Sequence, residues 1–68
     1  MSPAVRKVLA YAETHDLEIV SYGLAPNPWG FCFERGENSS NQACRTFSGM
    51  LEGLTKGETE ELKREVFG

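Results

Sequence analysis

The chain has 68 residues and a mass of 7.6 kDa, which predicts one small domain over residues 1–68 with little room for a deep catalytic pocket. Its 7 Lys and Arg against 10 Asp and Glu give a net charge of −3, and the only adjacent basic pairs are Arg6-Lys7 and Lys63-Arg64. Phosphate backbones require clustered positive charge, so we expect no binding to nucleic acid. No segment approaches the ~20 apolar residues of a membrane span and the start is amphipathic, so we expect a cytoplasmic protein without a membrane segment.

The first predicted helix covers residues 3–15. Ser2 can act as its N-cap, and Pro3 suits the first helical position, where the missing N–H costs nothing. His15 follows the last turn, and we expect it to cap the helix at the surface rather than to bind a ligand. One apolar stripe has the spacing i, i+3, i+4, i+7 and is expected to face the core: Val5, Val8, Leu9 and Ala12.

Two strands are predicted next, at residues 17–22 and 29–35, because both segments are rich in β-branched or aromatic side chains. The segment 23–28 between them contains two prolines, which cannot continue a ladder, so it is interpreted as a stiff hairpin loop. Alternate side chains of a strand share a face, and the expected groups are Leu17 with Ile19, Val20 with Tyr22, Trp29 with Phe31 and Phe33, and Cys32 with Glu34.

Helical periodicity returns at Ser40, which can cap a second helix. An alternative interpretation makes residues 42–47 a third strand, since a two-stranded sheet is marginal by itself. Gly49 and Gly53 lie on one flank of this helix, where the backbone of the sheet or of a docked partner could approach closely. The apolar stripe of the helix is Ala43, Phe47, Met50, Leu51 and Leu54.

A third helix is predicted over residues 58–67, preceded by a capping box of Thr55 and Glu58 and carrying a Glu60–Arg64 pair. Its apolar stripe is narrow, so we expect it to be the least protected of the three helices. The predicted fold is therefore α+β, in the order α-β-β-α-α, with an antiparallel hairpin and helices packed on one face.

The two cysteines, Cys32 and Cys44, are too few to indicate a disulfide framework, and we expect both to be reduced and buried. Together with His15 they are the residues that a small regulatory metal- or ligand-binding domain would use. Their spacing lacks the close pairs of typical zinc sites, so we predict no metal, no cofactor and no catalytic residue. The metal- or ligand-binding domain is kept as the alternative function.

The strongest local feature of the sequence is aromatic. Four of the chain's seven aromatic residues lie in the predicted hairpin, and the segment between Gly23 and Phe33 carries no charge. Trp29 adjoins the proline-containing loop, where it either anchors a partner or caps the small core. The residues predicted to contact a partner at this loop are Leu24, Asn27, Pro28 and Trp29.

The acidic residues of the third helix are interpreted as a secondary, salt-sensitive contact formed by Glu58, Glu61 and Glu65. With no catalytic motif, we predict a non-enzymatic module that binds a larger protein and covers its surface. An inhibitor or accessory protein is expected, since small acidic domains of this kind are typical of phage and mobile-element genes. A homodimer is left open.

Overall fold

The structure is a computed structural model that describes residues 1–23 and 30–68. Within this part of the chain, three helices accompany a two-stranded antiparallel sheet, which confirms the predicted α+β fold and its element order. None of the described helices is long and apolar enough to span a membrane. The elements are α1 (Pro3–Thr14), β1 (Leu17–Ser21), β2 (Cys32–Arg35), α2 (Asn41–Glu52) and α3 (Lys56–Phe67).

Helix α1 begins and ends where its sequence predicts. The Ser2 hydroxyl accepts a hydrogen bond from the Val5 amide at 3.2 Å, and Pro3 occupies the first helical position. His15 is the C-cap, and its amide donates to the Tyr11 carbonyl at 2.9 Å. These contacts satisfy backbone groups that a helix leaves unpaired at its ends.

The hairpin shows the predicted division into two faces. Leu17 and Ile19 are buried, whereas Val20 is exposed. Ile19 pairs with Phe33 but Ser21 pairs with Cys32, so Val20 is the additional residue of a β-bulge, which bends and twists the strand. The second strand is shorter than predicted.

Residues 42–47 belong to helix α2, so the alternative prediction of a third strand there is wrong. The Ser40 hydroxyl accepts a hydrogen bond from the Ala43 amide at 3.0 Å and so begins the helix. Arg35, at the end of β2, holds this N-terminus in place. Its guanidinium donates to the Asn41 side-chain oxygen at 2.6 Å and to the Ser39 carbonyl at 2.8 Å.

The flank of α2 that carries Gly49 and Gly53 makes no close contact with the described sheet. The expectation that the sheet backbone approaches these glycines is therefore wrong. A Cβ at Gly49 would meet no atom of the described residues within 4 Å, and Gly53 is the C-cap of α2. The flank instead borders an open depression of about 190 Å³ shared with Ala4 and Val8 of α1. The reason is that α2 contacts α1 rather than the sheet on this side.

Helix α3 starts with the predicted capping box. The Thr55 hydroxyl accepts from the Glu58 amide at 3.2 Å, and the Glu58 carboxylate accepts from the Thr55 amide at 2.9 Å. Glu60 pairs with Lys63 at 3.4 Å rather than with Arg64. The helix is fixed to the domain by Leu62, which is completely buried.

One apolar cluster joins all three helices to the inner face of the hairpin. Phe47 lies at its centre, edge-on to Phe33 with ring centroids 4.9 Å apart. Burial of these side chains supplies the main favourable free energy of folding. The buried members are Val5, Val8, Leu17, Ile19, Phe31, Phe47, Leu51, Leu54 and Leu62.

Candidate docking surface

The hairpin loop predicted as the principal contact lies outside the described residues. This applies to all four of its predicted contact residues, Leu24, Asn27, Pro28 and Trp29. The base of the loop is described, and it consists of two glycines with positive φ, Gly23 at 101° and Gly30 at 67°. The Gly23 amide donates to the Gly30 carbonyl at 3.0 Å, and a Cβ at Gly30 would lie 2.8 Å from the Gly23 nitrogen. The base of the loop thus requires glycine at position 30.

Beside this base lies an exposed apolar surface that we call the outer patch, formed by Val20, Tyr22 and Phe67. These side chains are 40%, 46% and 42% exposed, respectively. The rings of Tyr22 and Phe67 contact each other, with centroids 5.0 Å apart. The patch therefore extends from the end of the hairpin's first strand to the end of α3.

The Tyr22 ring is held by more than one neighbour. The buried Phe31 ring lies 6.4 Å away between centroids, and the Lys63 ammonium lies 4.7 Å from the Tyr22 ring centroid. A cation at this distance over an aromatic face is attracted by the ring quadrupole. The Tyr22 ring is therefore exposed to solvent while its orientation is restricted by these neighbours.

A groove of about 540 Å³ continues from the outer patch along β1. We call it the edge groove. Its floor and walls come from three elements, α1, β1 and the end of α3. The lining residues are Leu9, Ala12, Glu13, Leu17, Glu18, Ile19, Val20, Val66 and Phe67.

The acidic residues predicted as a secondary contact have different environments. Glu58 belongs to the capping box, as described above. Glu61 is half-buried, and its carboxylate accepts a hydrogen bond from the Ser2 amide at 2.8 Å. Glu65 is exposed. Two of the three carboxylates thus have partners within the chain, which local sequence patterns reveal only for Glu58.

The structure does not bring the candidate metal ligands together. Among residues 1–23 and 30–68, no three His, Cys, Asp or Glu side chains form a group that could hold a metal ion. The His15 ring contacts the Tyr11 ring in a tilted arrangement, with centroids 4.0 Å apart. Cys44 is half-buried against the core. Cys32 is exposed, so the expectation of its burial is wrong, because it points to the outer face of β2.

Comparisons with known proteins add no identification, since no family model, no curated protein and no solved structure matches this chain.

Proposed function

We propose that this protein is a non-enzymatic binding module that covers part of the surface of a larger protein through the outer patch. The observation that carries the proposal is that Tyr22 and Phe67 are in ring contact while Val20 lines the same groove as Phe67, all three at 40–46% exposure. Single exposed apolar side chains are normal on any protein, whereas large ones grouped together are typical of interaction sites. In a domain with so few residues, such a group is a substantial part of one face.

The positioning of Tyr22 supports the same conclusion. Its contacts with Phe67 and Lys63 restrict the ring before any partner arrives. Docking then costs less side-chain entropy than it would for a freely rotating ring. Tyrosine is also among the residue types enriched at the energetic centres of protein interfaces.

The predicted loop contact adjoins this surface in the sequence. Tyr22 is followed directly by Gly23, and the Gly23 amide donates to the Gly30 carbonyl, so both ends of the predicted loop contact are attached next to the outer patch. In this proposal Trp29 is a second anchor, and the exposed Glu65 contributes to the rate of association. An inhibitor or accessory role follows if the covered surface is one that the partner uses.

Capture from cells that naturally contain the protein tests the proposal when variants are compared. Tyr22→Ser and Phe67→Ser should lose a partner that the wild-type protein and Lys7→Ser retain. Lys7 is the control because it is exposed and lines neither the outer patch nor the edge groove. With the purified partner, calorimetry should show Tyr22→Ser binding at least about tenfold more weakly. Equal retention by all variants would refute the proposal.

A further inference from the structure

The edge groove runs along the side of β1 that does not pair with β2. Leu17 and Ile19 point to the core face, whereas Glu18 and Val20 point to the outer face, yet all four line the same groove. Side chains of opposite faces can border one groove only where that groove follows the edge of the strand. In the described part of the chain, β2 is the only strand paired with β1.

A free strand edge offers a row of backbone donors and acceptors to another extended chain. Proteins commonly protect such an edge with lysine or proline, and the segment Leu17–Ser21 contains neither. The bulge at Val20 interrupts regular geometry, so Leu17–Ile19 is the part of the edge suited to regular pairing. Apolar positions beside it, Leu9 and Val66, can receive the side chains of an added strand.

The charges of the groove indicate what kind of strand fits. Glu13 and Glu18 line it, and no Lys or Arg of the described segments does so. Neither carboxylate has an ion-pair or hydrogen-bond partner among the described residues. A second copy paired antiparallel through β1 would bring the Glu18 carboxylates of both copies towards each other, which is unfavourable.

We propose that an extended segment of the partner protein, with alternating apolar and basic side chains, adds a strand to the free edge of β1 in the edge groove. This inference rests on the proposed binding function and specifies its partner. Main-chain hydrogen bonds would supply affinity, while the apolar groove and the two carboxylates would select the sequence.

A synthetic peptide of sequence Val-Lys-Val-Lys-Val-Lys-Val, blocked at both ends, is the direct probe. Titrated into the ¹⁵N-labelled protein, it should shift the amide signals of residues 17–20 in a saturable way. Two matched peptides are controls, one with glutamate in place of lysine and one with proline as its central residue. Both control peptides should bind at least about tenfold more weakly than the lysine peptide. The glutamate peptide loses charge complementarity, and the proline peptide loses a backbone donor for the ladder.

Protein variants separate the groove from other surfaces. Ala12→Leu places a larger side chain in the edge groove and should weaken the lysine peptide at least about fivefold, and Glu18→Gln should do so too. Ala10→Leu makes the same change on α1 outside the groove and should have no effect. Thermal unfolding of each variant verifies that it is folded.

Two results would overturn strand addition: equal binding of the three peptides, or shifts that avoid residues 17–20. A wild-type dimer that Ala12→Leu dissociates would also overturn it, because the groove would then hold a second copy. These failures differ from failure of the proposed function. If the captured partner is lost by Tyr22→Ser but kept by both Ala12→Leu and Glu18→Gln, the binding function holds and strand addition is wrong.

Discussion

Asp16 covers Gly36 and joins the α1–β1 turn to the end of the hairpin. The Gly36 amide donates to the Asp16 carbonyl at 2.8 Å, and a Cβ at Gly36 would overlap the Asp16 carboxylate. One oxygen of that carboxylate accepts from the Asn38 amide at 3.1 Å. Asp16 itself has φ of 57°, a left-handed conformation that aspartate tolerates better than most residues. These contacts orient the segment that leads into α2.

Gly36→Ala should therefore destabilise the domain. The added methyl must displace the exposed Asp16 carboxylate and break its bond to Asn38, for a loss of about 0.5–1.5 kcal/mol in the free energy of unfolding. Urea denaturation measures this quantity. Gly57→Ala is the matched control, because a Cβ there meets no atom within 4 Å and the residue is helical, so it should be neutral or stabilising.

Gly49→Ala should stabilise the protein by about 0.5–1 kcal/mol. Gly49 lies inside α2, its added Cβ would meet no atom within 4 Å, and alanine loses less backbone entropy in a helix. The midpoint of urea unfolding should rise with an unchanged slope. A lower midpoint would mean that another backbone does approach this flank in solution.

Local patterns of the sequence were sufficient to predict the N-caps of the three helices, although they left a strand at residues 42–47 open and placed the start of α3 at residue 58 rather than 56. Ser2, Ser40 and Thr55 each accept a hydrogen bond from an amide three residues further on, and such contacts depend on neighbours in the chain alone. The bulge at Val20 was missed, since the residue alternation of β1 does not show which partner residue is skipped.

The docking surface was predictable only in part. Strand alternation places Val20 on a face away from Leu17 and Ile19, and the structure agrees. Alternation places Tyr22 on the same face as Val20, but the bulge shifts the register, and the Tyr22 ring contacts the buried Phe31 ring and α3. The contribution of Phe67 was not predictable, because its contact with Tyr22 depends on the angle at which α3 docks. The edge groove was not predictable for the same reason, because α3 contributes one of its walls from more than 40 residues beyond β1 in the sequence.

Glu34→Lys should stabilise the hairpin. Glu18 and Glu34 are directly opposite each other on the exposed face, and like charges in this position repel. The expected gain is about 0.2–1 kcal/mol in low salt, and it should diminish in 1 M salt, where the Debye length is about 3 Å. Thermal unfolding at both salt concentrations is the measurement, with Glu37→Lys in the exposed loop as a control for net charge. An equal gain from the control would assign the effect to net charge instead.

Glu61→Ala should cost about 1–2 kcal/mol of stability, because it removes the acceptor of the Ser2 amide and a negative charge at the N-terminus of α1. Glu65→Ala removes an exposed carboxylate from the same helix and should change stability by less than about 0.5 kcal/mol. Chemical denaturation of both variants gives the comparison. Similar values for the two would show that the Ser2–Glu61 contact does not fix α3 in solution.

Thr59→Val should increase the stability of the domain. Thr59 is 6% exposed, and its hydroxyl oxygen is buried without a hydrogen-bond partner among residues 1–23 and 30–68. Burying an unpaired hydroxyl is unfavourable by about 1–3 kcal/mol, and valine keeps the β-branched shape while removing that group. We expect a gain of about 1 kcal/mol in the free energy of unfolding.

Thr59→Ser is the matched control for this prediction. It keeps the unpaired hydroxyl and removes the buried methyl group, so it should destabilise the domain by about 1 kcal/mol. Opposite signs for valine and serine would establish that the hydroxyl is the unfavourable part of the side chain. If Thr59→Val instead loses stability, the hydroxyl has a partner in solution, for which the carbonyl four residues earlier, at Thr55, is the natural acceptor. Amide exchange of α3 extends the test, since removing the unpaired group should slow exchange in this helix more than in α1.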